Sequence, residues 1–172
     1  KLILENSPLK EWHFEELVKE AEVTKAVANK WLKKYISTGL LKKVTMKGKF
    51  PHYVVGLNNI TYFSLKRLYA LNQLYESGFI KHLLTLRDVK TIIIFGSFSR
   101  WDWYKDSDID LFVYGDATGI KKEIYELKLQ RNIEMHIFKN KHEIEEVKSG
   151  LIKNIINGYL IKGQIQDIVE VA

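Results

Sequence analysis

Residues 92–97 read Ile92-Ile93-Ile94-Phe95-Gly96-Ser97, and after ten intervening residues the chain continues as Asp108-Ile109-Asp110-Leu111-Phe112-Val113. The first pattern predicts a buried strand that runs into a turn, and the second predicts a strand that opens with two carboxylates. Because residues two apart in a strand point to the same face, we expect Asp108 and Asp110 to project together, away from Ile109.

The two carboxylates and the Gly-Ser turn together predict a site for a metal-bound triphosphate. Neighbouring carboxylates repel each other, and a divalent cation such as Mg²⁺, bound by one or two carboxylates and by substrate phosphates, removes that conflict. Two such ions can support an in-line displacement at phosphorus. Gly96 allows close approach of the backbone to a phosphate, Ser97 offers a hydroxyl, and a helix beginning there would present its free amides. Arg100 could add its guanidinium, or pair instead with a nearby aspartate.

A third strand is predicted over residues 132–139, with Glu134 as its lone acid among apolar neighbours. We expect Glu134 to complete the metal site and to help remove the proton of the attacking nucleophile. An acid on an exposed sheet face would give the same pattern. His136, on the same face as Glu134, is expected to be structural or exposed rather than a ligand.

Composition limits the possible chemistry. The 172 residues, 46% of them hydrophobic, suffice for one ordinary domain or two small ones. The apolar runs are too short for a membrane span or a signal-peptide core, so a cytoplasmic protein is expected. The absence of cysteine excludes disulfides, thiol nucleophiles and cysteine-ligated zinc, and any metal must be held by oxygen or imidazole.

The net charge of +6 is unevenly distributed. Between Glu22 and Glu76 there is no Asp or Glu, whereas ten Lys and Arg residues fall in that interval. Such a segment is suited to contact with phosphates. Four aspartates, in contrast, crowd into residues 102–110. The chain therefore has a basic N-terminal part and a local acidic site.

The basic part resembles a winged helix-turn-helix. The pattern predicts a helix over residues 11–21, a second helix capped by Thr24 and ending near Gly39, and two strands at 40–46 and 52–57. The resemblance implies binding of double-stranded DNA by the exposed stripe of the second helix and by the hairpin tip. The residues expected to contact DNA are Lys25, Asn29, Lys30, Lys33, Lys47 and Lys49. Winged helices also serve in protein interactions, so that alternative stays open.

The remaining pattern predicts an α+β chain. A linker helix is expected over residues 58–77, after the winged helix-turn-helix of residues 1–57. The rest, residues 78–172, is expected to form one domain of strands and helices. Its predicted elements are helices at 78–86, 119–130, 141–148 and 151–157, and strands at 91–95, 108–114, 132–139 and 159–164.

The segments Gly96-Ser97-Phe98-Ser99-Arg100 and Ser107-Asp108-Ile109-Asp110-Leu111 resemble the signature of the DNA polymerase beta nucleotidyltransferase superfamily, in its minimal bacterial and archaeal members. The resemblance covers about residues 78–164 and implies a palm-like mixed sheet flanked by helices. It implies that Gly96 and Ser97 hold the triphosphate, that Asp108 and Asp110 bind Mg²⁺, and that Glu134 is the third acid. Two departures are Trp101, where many relatives have glycine, and Glu134, where aspartate is usual.

The resemblance implies transfer of a nucleoside monophosphate, expected to be AMP from ATP, to a hydroxyl of a protein or other acceptor. Minimal members are similar to antitoxins that transfer AMP to a helical toxin protein. An alternative is a DNA-binding transcriptional regulator or antitoxin whose second domain senses nucleotide or a partner, with little catalysis. A nucleoside triphosphate, duplex DNA, a toxin-like partner protein and a second copy of the chain are the expected partners, and no membrane is expected.

Overall fold

The computed structural model describes residues 1–169, and the chain divides into two compact units at Lys66 and Arg67. The division falls inside a long helix. None of the helices within these described residues is long and apolar enough to cross a membrane.

The N-terminal unit combines short helices with a three-stranded antiparallel sheet. Its elements are α1 (Leu2–Glu5), β1 (Trp12–His13), α2 (Phe14–Glu20), α3 (Lys25–Ser37), β2 (Leu41–Val44), β3 (His52–Val55) and the first part of α4 (Ile60–Glu76). The strand order is β1-β3-β2. The helix expected over residues 11–21 begins later, because Trp12 is fully buried and pairs with Tyr53 as part of β1.

The predicted second helix and hairpin are confirmed in outline. The Thr24 side chain accepts a hydrogen bond from the Val27 amide at 3.3 Å and so caps α3. Gly39, just after the helix, has φ +71°, a conformation that ends helices without strain in glycine. The two strands pair from Leu41 opposite Val55 to their ends near the hairpin tip.

The C-terminal unit contains a four-stranded mixed sheet. Its elements after α4 are α5 (Phe79–Thr85), β4 (Val89–Phe95), β5 (Ile109–Gly115), α6 (Lys122–Leu129), β6 (Ile133–Phe138), α7 (Lys141–Glu145), α8 (Ser149–Ile156) and β7 (Tyr159–Lys162). The strand order is β6-β5-β4-β7, with β5 and β6 parallel and the other two pairs antiparallel. The mixed sheet and α+β character expected from the sequence are therefore present.

Both faces of this sheet are covered. Because side chains alternate along a strand, Ile92, Ile94 and Leu111 lie in one core, shared with side chains of α4 and α5. Ile93 and Phe112 lie in the other, shared with α7 and α8. The helix expected to begin at Ser97 is instead a 3₁₀ turn of three residues, 97–99.

Candidate active site

The turn after β4 has room only for glycine. Gly96 has φ +70° and ψ −154°, a backbone conformation that essentially only glycine adopts without strain. A Cβ built there would lie 1.8 Å from Oδ2 of Asp110, so the Asp110 carboxylate fills the space that a side chain would need. The Gly-Ser turn and the second aspartate of the Asp-x-Asp segment are thus in direct contact.

Strand register brings a second acid to Asp110. In the parallel pair of β5 and β6, Asp110 lies directly opposite Glu134. The side chain of His136, two residues along β6, points to the same face, and donor atoms of Asp110, Glu134 and His136 all lie within 4.8 Å of one another. His136 Nε2 is 3.7 Å from Glu134 Oε1.

The electrostatics of Asp110 reflect this crowding. Burial raises the pKa of the half-buried Asp110 carboxyl, and the charges of Glu134 and Asp108 raise that pKa further. His136 and Arg100 act in the opposite direction. A bound divalent cation would relieve the repulsion among the carboxylates, and oxygen and imidazole donors both suit such ions. The residues present therefore fit a divalent cation.

The other predicted site residues are not part of the cluster formed by Asp110, Glu134 and His136. Asp108 lies just before β5 and is exposed; its donor atoms are not among the three that converge. Ser97 is the first residue of the 3₁₀ turn. Arg100 donates two hydrogen bonds to Asp102, from Nε at 3.1 Å and from Nη2 at 3.0 Å, so its guanidinium is held by a neighbouring carboxylate.

His136, expected to be structural or exposed, lies beside the acid cluster. Its ring nitrogen converges with two carboxylates that the sequence did assign to the site. The signal was available, because alternation in β6 puts Glu134 and His136 on one face. What the pattern could not give was the register that places this face beside Asp110.

Arg131 is a further residue that the sequence pattern does not single out. It is buried, with 8% of its surface exposed, and its Nη1 donates to the carbonyls of Tyr104, Lys105 and Ser107 at 2.6, 2.7 and 3.1 Å. Its guanidinium also lies over the fully buried ring of Trp103 at 5.0 Å. Arg131 therefore stabilises the loop of residues 104–107, which leads into Asp108.

Arg131→Met is expected to lower the free energy of unfolding of this unit by about 2 kcal/mol, because three backbone carbonyls lose a charged donor. The nucleotidyl transfer that the sequence resemblance implies should fall about tenfold, since a loosened loop no longer fixes Asp108. Urea unfolding and a transfer assay measure the two effects. Arg87→Met, at an exposed position, is the matched control. Equal stability of the two variants would contradict this role of Arg131.

The residues predicted to contact DNA are exposed, on α3 and at the hairpin tip. Lys25 also forms an ion pair with Glu15 at 2.7 Å, with both side chains largely exposed. One basic residue of the acid-free interval is not available to phosphates: Lys66 is fully buried, and its Nζ donates to the Asn6 carbonyl at 2.8 Å.

Comparison with known proteins identifies the family of the C-terminal part. A family model described as "Polymerase beta, Nucleotidyltransferase" matches residues 79–166, which are 88 of the chain's 172 residues. No curated protein and no solved structure gives a significant match. The matched segment contains the Gly96 turn, the Asp-x-Asp segment, Glu134 and His136. The chain therefore belongs to the polymerase beta nucleotidyltransferase family.

Proposed function

We propose that the protein is an Mg²⁺-dependent nucleotidyltransferase that moves a nucleoside monophosphate, AMP from ATP, to a hydroxyl of a protein or other acceptor. The observation that carries this proposal is the meeting of Asp110 and Glu134 across β5 and β6, beside the Gly96 turn. Family membership supports nucleotidyl transfer in general.

In this proposal the backbone of Gly96 and the hydroxyl of Ser97 bind the triphosphate, and Asp108, Asp110 and Glu134 hold the metal. When bound, Mg²⁺ neutralises charge on the triphosphate and on the leaving group. The acceptor oxygen bonds to the α-phosphorus, the bond from that phosphorus to the oxygen bridging to the β-phosphate breaks, and pyrophosphate leaves. Glu134, whose side chain is 56% exposed, accepts the proton of the hydroxyl.

Arg100 is proposed to exchange its bond with Asp102 for a phosphate of the nucleotide. Both side chains are exposed, and an exposed ion pair contributes little to stability, so the exchange costs little. A phosphate can accept the same two hydrogen bonds from the Arg100 guanidinium that Asp102 now accepts.

The experiment that tests transfer uses ATP labelled at the α-phosphate or at the γ-phosphate, with Mg²⁺ and a cell lysate as the source of acceptor. The proposal expects the wild type to add label from the α-phosphate to a macromolecule above the level given by the lysate alone, and to add none from the γ-phosphate above that level. An Asp108→Asn, Asp110→Asn double variant should give only the level of the lysate alone. Equal labelling by the wild type and the double variant, or transfer above that level from the γ-phosphate, would refute nucleotidyl transfer by this site.

A second function is supported by the surface of α3. We propose that residues 1–57 are a winged helix-turn-helix that binds duplex DNA, joined by the linker of residues 58–77 to the nucleotidyltransferase domain of residues 78–172. The support is an exposed stripe bearing Lys25, Asn29, Lys30 and Lys33, in a segment without acids. Lysines supply affinity for phosphates, while Asn29 can read an adenine edge.

Lys30→Ala combined with Lys33→Ala is expected to weaken DNA binding at least tenfold, because about two phosphate contacts are lost. The slope of log affinity against log salt should become shallower by about 2. Fluorescence titration with duplex DNA at several salt concentrations measures both. Lys81→Ala with Lys153→Ala removes the same charge from exposed positions of the other unit and should leave binding nearly unchanged. Equal loss in both double variants would mean that the binding is not localised to α3.

Salt-sensitive DNA binding without any transfer would favour the regulator alternative, in which the C-terminal domain senses nucleotide or a partner. Transfer to one protein, together with DNA binding, would favour the antitoxin version. The transfer assay and the DNA titration therefore separate the transferase, the DNA-binding regulator and the antitoxin.

A further inference from the structure

His136 lies at the edge of the acid cluster. Its ring packs against that of Phe95 with centroids 5.2 Å apart, and 26% of its side chain is exposed. Strand alternation directs it to the same face as Glu134, and its ring nitrogen is within 4.8 Å of donor atoms of Asp110 and Glu134. An imidazole held between an aromatic ring and two carboxylates is well placed to donate a lone pair to a cation shared with them.

We propose that His136 is a metal ligand, and that Asp110, Glu134 and His136 form a mixed oxygen and nitrogen site that prefers Mn²⁺ to Mg²⁺. This inference rests on the proposed function and deepens it by naming the chemistry of one of the two metal positions. The other proposed position, with Asp108 and Asp110, has carboxylate donors alone.

The preference follows from the donor set. Mg²⁺ binds hard oxygen ligands in near-ideal octahedral geometry and retains its waters, so an imidazole adds little to its affinity. Carboxylates suit Mn²⁺, and affinity for a site that includes nitrogen rises along the first-row transition metals. Of the first-row ions, Mn²⁺ is the one closest to Mg²⁺ in its preference for carboxylate and phosphate ligands. It therefore suits both this site and a triphosphate. The alternative is an ion pair between Nε2 of a protonated His136 and Oε1 of Glu134. A protonated imidazole has no free lone pair and could not bind a metal.

The test measures metal binding without nucleotide and without turnover. The full chain, carrying no histidine tag and kept in a nitrogen-free buffer, is titrated with Mn²⁺ by electron paramagnetic resonance and with Mg²⁺ by calorimetry. Electron spin-echo envelope modulation of bound Mn²⁺ then shows whether a ¹⁴N nucleus is a ligand. We expect ¹⁴N modulation in the wild type and Mn²⁺ affinity at least about tenfold higher than Mg²⁺ affinity.

His136→Gln should abolish the ¹⁴N modulation and weaken Mn²⁺ binding about tenfold, with little change in Mg²⁺ binding. His142→Gln, at a side chain that is 81% exposed on α7, is the control and should match the wild type. Circular dichroism verifies that both variants fold. Absence of ¹⁴N modulation from the wild type, its persistence in His136→Gln, or equal Mn²⁺ and Mg²⁺ affinities would overturn the proposal. If Mg²⁺ supports transfer although one of these results overturns the metal assignment, the proposed function still stands. If ¹⁴N modulation is observed without transfer, the metal site still stands and the proposed function does not.

Discussion

Asp110→Asn is expected to reduce transfer from α-labelled ATP about a thousandfold, while the metal-free protein becomes no less stable than the wild type. The loss follows because Asp110 is the carboxylate common to both proposed metal positions, and metal stabilisation of the transition state amounts to several kcal/mol. A quantitative transfer assay at saturating Mg²⁺ measures the first effect. Thermal unfolding in the presence of a chelator measures the second.

The stability effect has a definite sign. Burial and the nearby charges of Glu134 and Asp108 raise the pKa of Asp110 in the folded state, so the folded protein binds its proton more tightly than the unfolded chain does. Ionised Asp110 therefore disfavours the fold. Stability decreases as pH rises from the ordinary aspartate range through the raised pKa, and the asparagine variant, which carries no charge, lacks this decrease.

Asp88→Asn is the control for this substitution, because Asp88 is exposed and precedes β4 at the end of that strand opposite to Gly96. It should retain transfer and show the pH dependence of the wild type. The metal-free Asp110→Asn protein should not have a melting temperature well below that of Asp88→Asn. If it does, the ionised Asp110 carboxylate does not destabilise the fold. Retained transfer would remove Asp110 from the chemistry.

Much of the C-terminal fold could be predicted because its strands carry strong local patterns. Continuous β-branched residues before Gly96 indicated a strand buried on both faces, and Ile92, Ile93 and Ile94 are fully buried. The helix expected over residues 58–77 was predicted from spacing alone and corresponds to α4, Ile60–Glu76. These features depend on residues close together in the sequence, which is where periodicity carries information.

Features set by long-range pairing could not be predicted in the same way. The two-residue strand β1 exists because Trp12 pairs with Tyr53, forty-one positions later in the chain. Arg131 gives no local signal, since its role depends on carbonyls more than twenty residues earlier. The position of Glu134 opposite Asp110 likewise depends on strand register, which a single sequence does not reveal.

Gly96→Ala is expected to cost more than about 3 kcal/mol of unfolding free energy and to abolish transfer. Two causes combine at this position. The backbone conformation alone costs about 1–3 kcal/mol in a residue with a side chain. In addition, the new methyl group would meet Oδ2 and Cγ of Asp110 at 1.8 and 2.7 Å, so the carboxylate must leave its present position.

Gly78→Ala shows the cost of a positive φ in the left-handed helical region without a clash. Gly78 has φ +79°, and a Cβ there meets no atom of the described residues within 4 Å, so this variant should lose about 1–2 kcal/mol from backbone strain and retain transfer. A double-mutant cycle isolates the contact itself. In an Asp110→Ala background the two closest clashing atoms are absent, and Gly96→Ala should cost at least about 1 kcal/mol less than in the wild type. Additive costs of Gly96→Ala and Asp110→Ala in urea unfolding would show that the glycine is needed for its backbone conformation alone, and that the turn does not position Asp110.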